Sequence, residues 1–355
     1  MDEQANVELA HHTTMRVGGP ARRFVSARTT EELVAALQEA DCGSERVLLL
    51  SGGSNLLIGD DGFDGTVVQI LSKGISVEES SADTVLVRVS AGEHWGAFVD
   101  LAVVEGWSGV ECLAGIPGAV GATPVQNVGA YGQDVSQTIV QVRVWDRETG
   151  KVEDLSAQEC AFSYRHSRFK HSDRYAVLDV LFKLSRSRLS GPLGYADLAK
   201  GLGAERGARL PLAEVRDAVL VQRRMRGMLL DPADHDTWSC GSFFTNPVLS
   251  QVEFDGLCEK VTAIEVGATP PPSFPAGEGQ IKTSAAWLID RAGFGKGHGL
   301  PGPASLSTKH VLAVTNRGHA RADDVLALAR QVRDGVREAF GVTLVNEPVM
   351  VGVEL

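Results

Sequence analysis

A run of small residues directly after an apolar stretch most constrains the fold. Residues 46–50 predict a buried strand, and the segment that follows without a break is Ser51, Gly52, Gly53, Ser54 and Asn55. Glycine allows backbone conformations and close approaches that a side chain would block, so this turn can point N–H groups and hydroxyls at a pyrophosphate. A tight structural turn explains the segment equally well. The spacing matches neither the dinucleotide fingerprint nor the P-loop.

A second glycine-rich segment spans residues 115–124 and spaces its glycines as G-x-x-G-x-x-G. The proline inside it argues against the start of a nucleotide-binding helix. Amide side chains follow among small residues, as expected beside a planar ring that forms hydrogen bonds. A loop-rich structural turn is the alternative. The candidate residues are Gly115, Ile116, Pro117, Gly118, Gln126, Asn127, Gly129 and Ala130.

Composition limits the class of protein. With 355 residues, 43% of them hydrophobic, the chain can form two or three domains with large cores. The net charge of -11 argues against a nucleic-acid partner, and any anionic ligand needs a local basic patch. We expect a cytoplasmic protein without membrane insertion, since no signal segment or run of 18 apolar residues occurs. Five scattered cysteines without CxxC and nine histidines without HExxH predict neither disulfides nor a metal site.

Apolar periodicity and turn residues predict a mixed chain of helices and strands. Helices are predicted at 29–40, 94–105, 212–224 and 322–340. Strands are predicted at 46–50, 84–89, 140–145, 151–155, 175–184 and 342–353, and a loop or small insertion at 185–203.

Six segments, taken in order, carry a family resemblance. They are residues 13–21, 51–57, 115–132, 164–170, 241–247 and 346–348. Together they resemble the UDP-N-acetylenolpyruvoylglucosamine reductases, the FAD enzymes that complete UDP-N-acetylmuramate in peptidoglycan synthesis. Each segment alone is weak evidence, but six in the family's order make a chance match improbable.

The resemblance implies an α+β fold. A two-subdomain FAD-binding module of the vanillyl-alcohol-oxidase type would precede a C-terminal α+β substrate-binding domain. The expected parts are residues 1–72 joined by a C-terminal strand at 342–355, then 73–225, and finally 226–341. FAD would bind without a covalent bond, with Arg16 and both glycine-rich segments around it. The C-terminal strand would return Glu347 to the flavin.

The resemblance also implies a mechanism. NADPH would reduce FAD, and flavin N5 would deliver hydride to the terminal enolpyruvyl carbon of UDP-N-acetylglucosamine enolpyruvate. Arg165 and a protonated or proton-sharing Glu347 would stabilise the charge that develops on the carboxylate. Ser242 would protonate the adjacent carbon. Because a serine hydroxyl is a weak acid in water, this role needs strong neighbouring hydrogen bonds or a water relay.

The residues implied for substrate binding are Tyr131, Tyr195, Arg226, Asn246 and Lys282. Residues 194–198 resemble the tyrosine-bearing loop that closes over the substrate in the longer subtype of the family. The family more often has lysine where Arg226 stands, and arginine keeps the charge with a different reach. Arg223 and Arg224 complete a basic cluster that a solvated helix face would explain equally well.

Two other functional classes stay open. A flavoprotein oxidase could share the FAD cradle, although many such enzymes bind flavin covalently and lack the segment at 241–247. A non-catalytic UDP-sugar-binding protein would bind ligand without a yellow chromophore.

Each catalytic candidate also has a structural alternative: a surface ion pair for Arg165, a helix cap for Ser242 and a strand-end carboxylate for Glu347. We expect a monomer.

Overall fold

The computed structural model describes residues 1–264 and 269–355. Its helices are α1 (Thr30–Cys42), α2 (Trp95–Glu105), α3 (Ala196–Gly201), α4 (Leu212–Met225), α5 (Gln251–Ile264), α6 (Ala285–Arg291) and α7 (Ala322–Phe340). Its strands are β1 (Asp2–Glu8), β2 (Pro20–Ala27), β3 (Val47–Leu50), β4 (Leu56–Ile58), β5 (Phe63–Ile70), β6 (Ile75–Ser80), β7 (Thr84–Ser90), β8 (Trp107–Ser108), β9 (Gly129–Ala130), β10 (Gln133–Asp134), β11 (Ile139–Asp146), β12 (Lys151–Ser156), β13 (Tyr175–Arg186), β14 (Val248–Ser250), β15 (Phe274–Pro275), β16 (Gln280–Lys282), β17 (Ala304–Leu306), β18 (Val314–Asn316) and β19 (Val349–Val351).

Two compact units make up the chain. The first contains Met1–Val7, Pro20–Gly53 and Phe63–Leu229, and the second contains Glu8–Gly19, Ser54–Gly62 and Leu230–Leu355. The division into three parts made from the sequence stays a prediction. Among the described residues, none of the helices has the length and apolar character needed to span a bilayer.

The first unit has two larger sheets, in addition to the two-stranded pair of β9 and β10. The strands of one lie in the order β1-β2-β5-β3, with β2 and β3 both parallel to β5. The other has the order β12-β11-β13-β7-β6, is antiparallel, and also pairs β8 with β13. Its core includes Trp95, Phe98 and Phe182, whose ring centroids lie 4.9 to 6.1 Å apart. Aromatic rings at these spacings bury large apolar surfaces.

The second unit contains β14-β16-β15, the pair β17-β18, and β19 parallel to β4. The helix α7 packs its buried apolar side chains into the core of this unit, and Gly341 ends it in a left-handed conformation with φ 72°. The apolar stripe and glycine stop in the sequence predicted this helix correctly.

Most of the predicted elements are confirmed. Thr29 caps α1 by accepting a hydrogen bond from the Glu32 N–H at 3.2 Å, and Gly106 ends α2 with φ 73°. The predicted hairpin at 140–155 is the pair β11 and β12. These elements are encoded locally, by caps, alternation and turn residues, so the sequence alone identifies them.

Two predictions about secondary structure are wrong. The strand predicted at 342–353, and the longer C-terminal strand at 342–355, is reduced to Val349–Val351. Pro348 has no backbone N–H to donate to a ladder, so the regular pairing stops there. The loop predicted at 185–203 contains the end of β13 and the short helix α3, which begins directly after Tyr195.

A buried carboxylate holds the hairpin turn after β11. Asp146 is fully buried, and Arg174 donates to it from Nε at 3.0 Å and from Nη2 at 2.6 Å. The N–H of Glu148 also donates to it at 2.9 Å. These hydrogen bonds, led by those from Arg174 and opposed by burial, lower the pKa of Asp146 to about 2. Folding therefore favours the charged carboxylate.

We predict that this carboxylate stabilises the fold in a pH-dependent way. The pKa of Asp146 rises to about 3.9 on unfolding. Its contribution to the free energy of unfolding is therefore complete above about pH 5 and is lost as the pH falls towards 2. The difference in unfolding free energy between the wild type and Asp146→Asn should therefore shrink between about pH 4 and pH 2. Urea unfolding at several pH values measures it. Asp100→Asn, at an exposed ion pair, is the control. A difference that does not vary with pH would contradict the prediction.

Candidate active site

The two glycine-rich segments of the first unit touch through their backbones. A Cβ at Gly52 would lie 2.7 Å from Gly118 Cα, closer than atoms can approach. The second segment is fixed in turn, because Trp95 N donates to Gly118 O at 3.1 Å and Val120 N donates to Glu93 O at 2.9 Å. A surface of bare backbone of this kind lets a bulky ligand approach closely. Ser51 and Gly53 flank the contact.

Arg165 occupies the tip of a tight turn. Ser163 and His166 exchange both backbone hydrogen bonds, at 3.0 and 3.2 Å, and Arg165 lies between them with φ 53°. Its Nη2 donates to the carbonyl of Gly129 at 2.8 Å. The buried Asn127 joins the same turn by donating from Nδ2 to Ser163 O at 3.1 Å. The structure thus brings Asn127, Gly129 and Arg165 together.

Left-handed backbone is concentrated among the predicted site residues. Eight non-glycine residues of the described chain have positive φ, and four of them were predicted for the site: Arg16 (55°), Asn127 (49°), Tyr131 (50°) and Arg165 (53°). Residues other than glycine rarely adopt this backbone conformation, because it costs them free energy. Such residues tend to occur where a ligand or a reaction requires a fixed geometry.

The first unit also contains a cluster of tyrosine and arginine side chains. The rings of Tyr131 and Tyr195 meet edge to face with centroids 5.4 Å apart, and the Arg226 guanidinium lies 6.0 Å from the Tyr131 ring centroid. Arg226 also forms an ion pair of 3.4 Å with Asp197, which the sequence reasoning missed. Of the implied substrate residues, the structure therefore joins three here.

Charge in this cluster is predominantly positive. Burial lowers the pKa of Arg223 to about 10, although Tyr131 partly opposes this. Burial also lowers the pKa of Arg226, but Tyr195, Tyr131 and Asp197 outweigh it and the net shift is upward. Two guanidinium groups near one carboxylate can attract a phosphate or diphosphate.

In the second unit, three segments far apart in the sequence meet. Glu347 N donates to Phe243 O at 2.9 Å and Thr245 N donates to Val345 O at 3.0 Å, which aligns residues 243–245 with 345–347. Asn55 donates from Nδ2 to Glu347 O at 3.3 Å, and its own carbonyl accepts from Val349 N at 2.9 Å. Ser242 immediately precedes this alignment. The structure thus brings Asn55, Ser242 and Glu347 to neighbouring segments.

Arg16 is held from two sides within the second unit. Its guanidinium lies 3.8 Å from the centroid of the Trp238 ring, a cation–π arrangement, and its carbonyl accepts from Asn316 Nδ2 at 3.2 Å. Neither Trp238 nor Asn316 was identified from the sequence, because no motif marks a side chain that supports another residue. Ser54 follows Gly53 in the chain but belongs to the second unit.

Asn246 and Lys282 lie near one another in the second unit. The amide oxygen of Asn246 accepts from Ala285 N at 3.0 Å, at the start of α6. Lys282 is in β16, and the next residue, Thr283, donates from N to Pro247 O at 2.9 Å. Asn246 therefore fixes the first turn of α6, as well as being a predicted substrate contact.

The residues present fit an FAD molecule. Bare backbone at Gly52 and Gly118 suits a pyrophosphate or ring edge, and arginine charge suits its anionic groups. Among the described residues, no cluster of three or more His, Cys, Asp or Glu side chains could hold a metal ion.

Two family models match this chain. The FAD binding domain model covers residues 21–156, and the model of the UDP-N-acetylenolpyruvoylglucosamine reductase C-terminal domain covers residues 231–351. The UDP-N-acetylenolpyruvoylglucosamine reductase of Thermobifida fusca is 57% identical over 350 residues, with 99% of this chain and 98% of that protein covered. The reductase of the same name from Streptomyces coelicolor is 55% identical over 357 residues, with 100% and 92% covered.

A solved structure has the same fold. UDP-N-acetylenolpyruvylglucosamine reductase from Thermus caldophilus superposes with a TM-score of 0.63 at 23% identity, covering 99% of this chain and 98% of that one. The α+β fold with an FAD-binding module and a C-terminal domain is confirmed, and it defines an FAD-dependent oxidoreductase. The chain belongs to the UDP-N-acetylenolpyruvoylglucosamine reductase family.

We predict that Gly52→Ala weakens FAD binding. The added methyl group would meet the backbone of Gly118, which cannot rotate away, so the two segments must separate. The dissociation constant for FAD should rise about tenfold or more, equivalent to at least about 1.4 kcal/mol. Flavin absorbance per protein after dialysis measures it. Gly256→Ala in α5 is the control, because its Cβ meets no atom of the described residues within 4 Å apart from the neighbouring backbone of its own helix. Retention of flavin equal to the wild type would refute the prediction.

Proposed function

We propose that this protein uses NADPH to reduce UDP-N-acetylglucosamine enolpyruvate to UDP-N-acetylmuramate in peptidoglycan synthesis, with Arg165, Ser242 and Glu347 as its catalytic residues. The observation that supports these assignments best is the backbone pairing of Phe243 with Glu347, which sets Ser242 and Glu347 on neighbouring segments. The relatives that carry the reductase name match essentially the whole chain.

The reaction requires control of a developing negative charge. Bound FAD supplies hydride chemistry, which no protein side chain can provide. As the terminal carbon of the enolpyruvyl group accepts hydride, negative charge spreads onto the conjugated carboxylate. Arg165 is fixed by its turn and by Gly129, so its guanidinium can stabilise this charge without reorganising.

Ser242 and Glu347 supply the protons that the substrate needs, one for transfer to carbon and one for a hydrogen bond to its carboxylate. Ser242 donates a proton to the carbon adjacent to the site of hydride addition, and its hydroxyl must regain one from a neighbour or water. Two hydrogen bonds hold the backbone of Glu347. Its N–H donates to Phe243 O, and its carbonyl accepts from Asn55 Nδ2. A protonated Glu347 can donate a hydrogen bond to the substrate carboxylate as charge builds there.

Substrate anions bind to the basic residues. Arg226 and the half-buried Arg223 favour the diphosphate of the UDP-sugar, and the paired rings of Tyr131 and Tyr195 limit its exposure to water. Lys282 and Asn246 contribute further contacts. FAD is bound non-covalently by the glycine-rich segments together with Arg16. A cytoplasmic location, a monomeric state and the absence of nucleic-acid partners stay predictions.

The direct test is complete turnover. Purified protein with FAD, NADPH and the enolpyruvyl UDP-sugar should form a product heavier by two hydrogen atoms, detected by mass spectrometry, only when NADPH is present. Oxygen consumption without this product would favour a flavoprotein oxidase. Ligand binding by a colourless protein that takes up no FAD would favour a non-catalytic UDP-sugar-binding protein.

We predict that Ser242→Ala separates the two half-reactions. Without the hydroxyl, proton delivery fails and turnover should fall about 100-fold or more, a typical contribution of a general acid. Flavin reduction by NADPH should stay close to the wild-type rate. Anaerobic stopped-flow absorbance measures both steps. Ser250→Ala is the matched control, since this hydroxyl lies at the start of α5 and, within the described ranges, bonds only locally to Glu253. Normal turnover in Ser242→Ala would remove Ser242 from the mechanism.

We predict that Arg226 binds the substrate by its charge. Arg226→Lys should keep the KM for the UDP-sugar within a few-fold, whereas Arg226→Ala should raise it about tenfold, the loss of one charge-assisted contact. Steady-state kinetics at two salt concentrations measure this effect. Arg224→Ala is the control, because Arg224 is exposed in the last turn of α4, two residues before Arg226. An unchanged KM in Arg226→Ala would assign Arg226 to the surface ion pair alone.

A further inference from the structure

Glu111 is a fully buried carboxylate that none of the proposed steps uses. Its Oε1 accepts from Gln133 Nε2 at 3.0 Å, from Gly191 N at 3.1 Å and from Ser108 Oγ at 3.4 Å. Its Oε2 accepts from Gly109 N at 2.7 Å. One side chain therefore joins three separate segments of the first unit.

All four donors to Glu111 are neutral. In the parts of the chain that the structure describes, no Lys or Arg forms an ion pair with it. A buried carboxylate costs free energy unless its oxygens are satisfied, and here N–H and O–H groups satisfy them. The backbone N–H groups of Gly109 and Gly191 can only donate, so both carboxylate oxygens must accept.

The first of these segments carries Tyr131. Gln133 lies in β10, pairs with Ala130 of β9, and closes the short turn that contains Tyr131. The amide oxygen of Gln133 also accepts from Cys112 N at 2.8 Å. Both ends of the Gln133 amide are therefore fixed by residues 111 and 112. This holds the turn that gives Tyr131 its left-handed φ of 50°.

The second segment leads to Tyr195. Gly191 is joined to Glu111 directly, and Ser190 next to it donates from N to Leu210 O at 2.8 Å. Further along, a Cβ at Gly132 would lie 3.4 Å from Tyr195 N, so the backbones of the two tyrosine-bearing segments run close together. Glu111 thus anchors both partners of the Tyr131–Tyr195 ring contact.

We propose that Glu111 is a positioning residue that holds the Tyr131 turn and the segment leading to Tyr195 in the register needed to bind the substrate. This inference rests on the proposed function, because it assigns the two tyrosines to the UDP-sugar. In this role Glu111 acts through Gln133 and Gly191, and no contact of its own with FAD or substrate is assigned to it. The alternative is a purely structural carboxylate whose loss lowers stability and nothing else.

The test is Glu111→Gln in the FAD-loaded full-length protein. An amide of the same shape replaces one accepting oxygen by a donor, which must then face either the Gly109 N–H or the donors on Oε1. The dissociation constant for UDP-N-acetylglucosamine enolpyruvate, measured without NADPH from its effect on the flavin spectrum, should rise about tenfold. Flavin content should equal that of the wild type, and kcat at saturating substrate should change less than about twofold.

Asp146→Asn is the matched control. It also changes a fully buried carboxylate of the first unit to an amide, but its partners are Arg174 and the hairpin turn. It should lower the melting temperature without altering the dissociation constant. If Glu111→Gln and Asp146→Asn both lower stability and both leave substrate affinity unchanged, Glu111 is structural and the proposal fails.

A mutant cycle shows whether the effect passes through the two tyrosines. In a background that carries both Tyr131→Ala and Tyr195→Ala, Glu111→Gln should weaken substrate binding less than twofold, because both positioned rings are already absent. A full tenfold effect in that background would overturn the proposed route. If the wild-type protein itself does not bind the enolpyruvyl UDP-sugar, the proposed function fails instead, so the two failures are distinguishable.

Discussion

The proposed chemistry depends most on the backbone pairing between residues 243–245 and 345–347. Two hydrogen bonds, from Glu347 N and Thr245 N, align a turn in the middle of the chain with a segment near its end. Asn55 joins the same alignment through both its amide and its carbonyl. Without this pairing, Ser242 and Glu347 would have no reason to be close. Backbone bonds are suited to the task, since they fix position while leaving the side chains available for chemistry.

The first unit leaves room for a ligand by omitting side chains. The contact of Gly52 with Gly118 leaves backbone where a ligand must approach, and left-handed residues such as Tyr131 and Arg165 aim their side chains from tight turns. These conformations cost free energy that surrounding hydrogen bonds must offset. The Asn127 amide and the Glu111 carboxylate both supply such bonds. Buried polar groups therefore support the residues proposed to bind ligands.

The predictability of each feature follows from how local its cause is. The helix α7 and the hairpin of β11 and β12 were predictable, because their apolar spacing and turn residues lie within the elements themselves. The C-terminal strand was predicted too long, because a single proline interrupts it. Site residues became visible through motif order rather than periodicity. Supports such as Trp238 and Glu111 could not be found, since their partners are distant in sequence and follow no fixed spacing.

The most direct test of the central claim is an anaerobic titration in one cuvette. Purified protein should show the spectrum of oxidised flavin, lose it when one equivalent of NADPH is added, and regain it when the enolpyruvyl UDP-sugar follows. That sequence would demonstrate that one flavin passes electrons from NADPH to this substrate. A flavin that stays reduced after the UDP-sugar is added, and returns only when oxygen is admitted, would contradict the claim.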